Sequence, residues 1–154
     1  MSDLHLTPSP HAAEPPQLAR RLGHAGLIPF VLGALLVWLV AHNPDAHAFV
    51  TLALAGYAAT IVAFLGGVHW GLAMRVDGLG PRSFRWAMVP PLVAWLGVIM
   101  PAYAGLALLG AMLIVCYVVD RRLYVANGQA HWLTLRFRLT LVASLACFFG
   151  AAGT

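Results

Sequence analysis

Three ionisable side chains that could bind an ion or exchange a proton lie within or at the ends of apolar segments: His69, Asp120 and Arg136. A charge below the headgroup level of a membrane is costly unless it is paired or hydrated, so such side chains are functional candidates. A histidine ring exchanges a proton near neutral pH, or ligates a metal or haem through a ring nitrogen. We predict that Asp120 pairs with Arg136 or Arg122. The predicted polar cluster, a candidate ligand site, consists of His69, Trp70, Asp120 and Arg136.

Each of these residues also has a purely structural explanation. A buried histidine can hydrogen-bond to a neighbouring helix, and an acid and an arginine can simply hold two helices together. Tryptophans such as Trp70, Trp86 and Trp132 favour membrane interfaces whether or not a ligand binds there. The sequence leaves both the functional and the structural role open for His69.

Other chemical signatures are weak in this sequence. It contains no Ser-His-Asp arrangement, phosphate-binding glycine loop, catalytic carboxylate pair or dinucleotide fingerprint. His42, Asp45 and His47 have a spacing that could contact a divalent metal, but further ligands of a closed site are missing, so no metal is predicted. Cys116 and Cys147 lie in apolar runs without paired spacing, which indicates packing residues rather than a disulfide.

The composition indicates a membrane protein. Of the 154 residues, 61% are apolar and 9% are charged, and the mean hydropathy is +0.83, whereas soluble domains have about 25% charged residues. The net charge of +4 comes from arginines in short connections. They do not form a basic patch with interleaved aromatic residues, so we expect phospholipid headgroups rather than nucleic acid as the anionic partner.

Five apolar stretches predict an all-α bundle of about five transmembrane helices, because each approaches the about 20 residues that cross a hydrocarbon core. They cover residues 25–41, 49–74, 84–100, 103–119 and 132–151. Residues 1–20 are rich in proline and lack hydrophobic periodicity, which predicts a disordered cytoplasmic tail. Residues 21–154 are then one five-helix membrane domain.

The arginines predict the orientation of the chain. All nine lie before the first stretch, or within or beside the connections between the second and third and between the fourth and fifth stretches. Positive residues concentrate on the cytoplasmic side, so five crossings place the amino terminus inside and the carboxyl terminus outside. We predict a multi-pass protein of the bacterial inner membrane.

Small residues recur every four positions in the second stretch: Ala59, Ala63, Gly67 and Gly71. Membrane helices associate through close van der Waals contact, which small side chains allow. We predict that this seam packs against another helix, within the chain or, alternatively, in a dimer.

Two adjacent prolines, Pro90 and Pro91, predict a kink in the third stretch. They remove the backbone donors that would satisfy the carbonyls of Trp86 and Ala87. Such carbonyls need a polar partner or close packing, so this stretch should face protein or a hydrated pocket rather than lipid.

Four segments carry a resemblance to a known family: LGHAGLIPF at 22–30, FLGGVHWG at 64–71, DRR at 120–122 and HWLTLRFRLT at 131–140. The chain resembles a five-helix family of unknown function that includes the transmembrane-protein-sixty-nine proteins. Ala130 and Leu133 stand where the family usually has proline and tyrosine, whereas Trp132, Arg136 and Thr140 fit its pattern. The resemblance implies an integral membrane protein without an established activity.

We therefore predict a non-enzymatic accessory or assembly factor that binds other membrane proteins, or a second copy of itself, through the seam and the cluster. The alternative is a binder or transporter of a small apolar or ionic ligand, such as haem, a quinone or a proton-coupled solute. Its pocket would face the cytoplasm and be lined by the kinked third stretch, His69, Asp120 and Arg136. No cofactor is predicted outside this alternative. One histidine and one acid are a thin catalytic set, so a membrane enzyme is least favoured.

Overall fold

The computed structural model describes residues 15–75, 81–126 and 132–154, and the elements in these ranges are all helical. The helices are α1 (Gln17–Ala25), α2 (Ile28–Leu39), α3 (Pro44–Arg75), α4 (Pro81–Ile99), α5 (Ala102–Ala126) and α6 (Leu133–Ala152). Helix α3 contacts α2, α4, α5 and α6, and α6 also contacts α1, α2 and α5. The predicted all-α bundle is confirmed.

Four segments are long and apolar enough to cross a membrane, so the chain is a multi-pass membrane protein: Gln17–Leu39, Pro44–Arg75, Ala102–Val125 and Leu133–Ala152. The third predicted span corresponds to α4, whose 19 residues extend about 28 Å at 1.5 Å per residue. Arg82 and Arg85 make α4 less apolar than the others. The orientation of the termini stays a prediction.

The first span is interrupted between α1 and α2, at Gly26 and Leu27. Pro29 lacks the N–H that would continue the ladder of hydrogen bonds, and Leu27 N donates instead to the carbonyl of His24, at 3.0 Å. Helix α1 begins at Gln17, so residues 17–20 of the predicted tail are helical, while the domain boundary itself stays a prediction. Residues 1–14 of that predicted tail lie outside the described residues.

Helices α2, α3, α5 and α6 form one apolar core, to which α4 contributes Ala94. Its most deeply buried side chains include Phe30, Val37, Val62, Leu106, Leu109 and Cys147. Cys116 and Cys147 are both buried free thiols. Many large apolar side chains point outward instead, which suits a bundle surrounded by lipid.

Helices α3 and α4 lie close together at Gly66. A Cβ atom placed on Gly66 would lie 2.6 Å from the carbonyl oxygen of Ala87 and 2.7 Å from Cδ of Pro91. Ala87 is the residue whose carbonyl loses its helical donor because of Pro91. Helix α4 continues through Pro90 and Pro91, and Pro90 is buried. The double-proline stretch therefore faces protein, as the sequence predicted.

The small-residue seam of α3 does not pack internally along its length. Ala59 is buried and Ala63 is half-buried, but Gly67 and Gly71 are exposed, with no heavy atom within 4 Å of an added Cβ. Among the described residues, no other helix packs against these two glycines, and their packing in a dimer stays a prediction. Four residues turn a helix by about 400°, so a four-residue repeat drifts by about 40° per step. From Ala59 to Gly71 the drift is about 120°, enough to leave the buried face.

Candidate functional site

His69, Asp120 and Arg136 form a continuous hydrogen-bonded cluster that joins three helices. Nε2 of His69 on α3 lies 2.7 Å from Oδ1 of Asp120 on α5. Nε of Arg136 on α6 donates to Oδ2 of Asp120 at 3.0 Å, and Nη2 of Arg136 donates to the same oxygen. The predicted pairing of Asp120 with Arg136 is thus present in the structure, while Arg122 is exposed.

The cluster is buried near one end of the bundle. His69 is 3% exposed and Asp120 is 4% exposed, whereas the side chain of Arg136 is 15% exposed. Helix α3 ends six residues after His69, α5 ends six residues after Asp120, and α6 begins three residues before Arg136. The chain direction of these three helices therefore brings the three residues to the same level.

The hydrogen bonds define the chemical state of the cluster. A carboxylate that faces a guanidinium only accepts hydrogen bonds, so Nε2 of His69 carries the hydrogen that it donates to Asp120. Nδ1 of His69 is then the ring nitrogen able to accept a further proton. Arg136 has five N–H groups and directs two of them at Asp120. The other three have no acceptor among the described residues.

Trp70 does not belong to the contact network, although it is adjacent to His69 in sequence. Its side chain is 42% exposed and packs edge-on against Phe84, with ring centroids 5.2 Å apart. Trp86 of α4 takes the place beside the histidine, at 6.4 Å between ring centroids and an interplanar angle of 85°. Its indole Nε1 is buried without a partner among the described residues.

A groove of about 460 Å³ opens beside Arg136. Helices α1, α2, α3, α5 and α6 line it, mostly with apolar side chains such as Leu22, Phe30, Ile61 and Leu113. Arg136 contributes the charge in this lining, and Trp132 and Thr140 lie near it on α6. Among the described residues that line the groove, Arg136 belongs to the predicted pocket, whereas α4, His69 and Asp120 do not line this groove.

The second predicted set of polar residues lies at the opposite end of the bundle. Nε2 of His47 is 2.9 Å from the carbonyl oxygen of Gly153, while His42 and Asp45 are exposed. The described ranges contain no group of three or more His, Cys, Asp or Glu side chains placed to hold a metal ion. His47 therefore ties α3 to the end of α6.

Sequence comparisons match the chain to a family of unknown function and to a transmembrane protein. A family model described as "Protein of unknown function (DUF3429)" matches residues 15–152. The chain is 39% identical over 90 residues to a protein of Xenopus tropicalis named "Transmembrane protein 69". That match covers 54% of this chain and 33% of the relative, so the chain spans about one third of the relative's length. No solved structure matches the chain.

Proposed function

We propose that this chain, which belongs to the family described as protein of unknown function (DUF3429), is a non-enzymatic membrane protein that binds a small amphipathic ligand in the groove beside Arg136. The observation that carries this proposal is one guanidinium in an otherwise mainly apolar groove. The resemblance to the transmembrane-protein-sixty-nine family is confirmed by the matches to that relative and to the family model.

The size and lining of the groove support ligand binding. Small-molecule sites are mostly apolar concavities of about 300–1,000 Å³ with a few well-placed polar groups. The groove has about 460 Å³, and Arg136 is held in one orientation by Asp120. An amphiphile can place its polar group at Arg136 and its apolar part against residues such as Phe30 and Ile61.

The position of His69 relative to the groove allows haem and a quinone, the two predicted alternatives, to be compared as ligands. His69 directs Nε2 at Asp120 and lies outside the groove, so it does not offer this nitrogen to haem iron there. A quinone needs no histidine ligand and is amphipathic. For this groove we therefore favour a quinone over haem among these two alternatives.

Filling the groove from α1 should abolish ligand binding. Ala19 lines the groove, so Ala19→Trp is expected to remove small molecules that copurify with the wild-type protein in mild detergent, as detected by native mass spectrometry. The matched control is Ala25→Trp, because Ala25 is exposed on the same helix and does not line the groove. Equal ligand loads in both variants would exclude the groove as the binding site.

A second function, as an accessory or assembly factor, is favoured by the exposure of Gly67 and Gly71. These glycines leave open space on the outer face of α3, and exposed Phe64 and Met74 flank them. Small residues one turn apart let a helix of another membrane protein, or of a second copy, approach closely.

Bulky side chains at this position should break such an association without affecting the fold. We expect Gly67→Leu and Gly71→Leu each to lower copurification of a partner, or the dimer fraction in mild detergent, while the cluster stays intact. Ala53→Leu is the control, since Ala53 is exposed on the same helix. If all three variants retain the same partners, this second function is wrong.

We also propose in which membrane the chain lies and how it is oriented there. All nine arginines lie close to helix ends at the cluster end of the bundle, at the start of α1, α4 and α6 and at the end of α3 and α5. This distribution supports a cytoplasmic amino terminus. We accordingly propose the bacterial inner membrane, with the groove near the cytoplasmic face.

A further inference from the structure

We propose that the ligand of the groove carries an anionic headgroup, either a carboxylate or a phosphate, and that it binds together with one proton, which His69 holds. This inference rests on the proposed function, because it assumes that the groove binds an amphiphile. It adds the charge of the ligand and the coupling of binding to the buried cluster.

The choice of an anion follows from what the groove presents. Arg136 lines it with a guanidinium that has three N–H groups beyond those given to Asp120. Asp120 is behind the guanidinium, buried and outside the groove lining. A headgroup in the groove therefore meets the positive member of the ion pair. Carboxylates and phosphates match the planar donor geometry of arginine better than other groups.

The shape of the groove explains why the anion would have an apolar tail. Arg136 is in the first turn of α6, next to Trp132 at the end of the bundle. Ala143 also lines the groove, seven residues further along, which is about 10 Å along a helix. Phe30 and Leu113 provide apolar walls there. A headgroup at Arg136 would thus lie near the membrane interface and its chain would extend toward the bilayer centre.

The proton follows from the charge balance of the cluster. Arg136 and ionised Asp120 are together neutral when His69 is neutral. An added anion would leave one uncompensated negative charge in a low-dielectric environment, which is unfavourable. A proton taken from water onto Nδ1 of His69 restores neutrality, and Nε2 keeps its hydrogen bond to Asp120.

Among the described residues, the charged side chains joined to His69 by hydrogen bonds are those of this cluster. Asp120 of α5 contacts the ring directly, and Arg136 of α6 contacts it through Asp120. From α4, Trp86 packs edge-on against the ring of His69, and Arg85 precedes Trp86 in the chain. Helix α2 has no titratable side chain. On α5, Cys116 and Tyr124 lie one turn to either side of Asp120.

Binding of a charged probe and its neutral ester tests the anion. The full chain in phosphatidylcholine nanodiscs is titrated with a dansyl-labelled undecanoic acid and with its methyl ester, followed by dansyl fluorescence. We expect the acid to bind roughly tenfold or more tightly than the ester, as for a hydrogen bond to a charged group. Equal affinities would overturn the anionic ligand but not the groove. Binding of neither probe, or equal binding to Ala19→Trp, would instead remove the proposed function.

Variants at the cluster separate loss of the charge from loss of the fold. Arg136→Gln should bring the affinity of the acid down to that of the ester. Because this change leaves Asp120 without its partner, the double variant Asp120→Asn, Arg136→Gln provides a neutral pair that can still hydrogen-bond. It should bind the ester as the wild type does and show no preference for the acid. A retained preference in the folded double variant would contradict the role of Arg136.

Proton uptake tests the coupling. When the acid, already ionised in weakly buffered solution slightly above neutral pH, binds to wild-type protein, a pH indicator should report about one proton taken up per bound probe. His69→Gln should take up none, and the ester should cause none in either protein. Absence of uptake in the wild type would overturn the proton coupling. Adding phosphatidylglycerol to the nanodiscs then distinguishes the two kinds of anionic ligand. Displacement of the acid identifies a lipid phosphate as the ligand, and retention of the acid identifies a free carboxylate.

Discussion

Asp120→Ala is expected to destabilise the protein by about 3–5 kcal/mol, because it removes one partner from a buried ion pair. Both carboxylate oxygens of Asp120 are used, Oδ1 by His69 and Oδ2 by Arg136. Without them, a guanidinium that is 15% exposed and an imidazole in a residue that is 3% exposed lose their common acceptor. Because His69 and Asp120 are buried within the protein, water does not readily replace these hydrogen bonds. Unfolding in mixed micelles of a mild detergent and dodecyl sulfate, followed by circular dichroism, measures the effect.

Two controls identify the cause of this loss. Asp45→Ala removes an exposed acid at the other end of the bundle and should change stability little, by about 0.5 kcal/mol or less. The double variant Asp120→Leu, Arg136→Met should recover much of the lost stability, because a buried ion pair replaced by apolar residues is often neutral or stabilising. Equal losses for Asp120→Ala and Asp45→Ala would mean that the cluster has no structural role.

The helices were predictable from the sequence because lipid requires long apolar runs with internally satisfied backbone groups. The five apolar stretches correspond to helical segments of the structure. Helix ends were less predictable, as α1 and α3 show. Helix α3 begins at Pro44, five residues before its predicted stretch, because polar residues such as Asp45 can continue a helix beyond the hydrocarbon region.

The proximity of Asp120 and Arg136 was predictable from topology, whereas the direction in which each side chain points from its helix was not. Successive helices run in opposite directions, so the order of the apolar stretches determines which helix ends lie at the same end of the bundle. Rotation about each helix axis depends on packing that the sequence does not display. His69 and Trp70 are 100° apart on α3, so burial of one leaves the other pointing away. Trp86, on another helix, had no sequence signal that placed it beside His69.

The groove could not be predicted for a related reason. It depends on the interruption between α1 and α2, which places Leu22 and Phe30 on different short helices beside α6. Pro29 indicates such an interruption, but it does not say where the shifted segment rests. A charged residue in the first turn of α6 becomes part of a groove only through that placement.

Gly66→Ala is expected to destabilise the protein, whereas Gly67→Ala at the neighbouring position is not. Alanine usually stabilises a helix relative to glycine, so the effect expected at Gly66 has the opposite sign. An alanine normally gains up to about 1 kcal/mol over glycine inside a helix. At Gly66 the added Cβ would overlap the carbonyl of Ala87 and the ring of Pro91, at 2.6 and 2.7 Å. Neither is the flexible end of a side chain, so α3 and α4 must separate, at a cost of about 1–3 kcal/mol.

The comparison of the two glycines provides its own control, because both substitutions add one methyl group to the same turn of α3. Gly67 has open space around an added Cβ, so Gly67→Ala should be neutral or stabilising in the same unfolding assay. Larger side chains should widen the difference, since Gly66→Leu would push α4 and Trp86 away from His69. Fluorescence of the tryptophans would then change together with stability. If Gly66→Ala is as stable as Gly67→Ala, the close approach of α3 to the double-proline segment of α4 is not what holds these helices together.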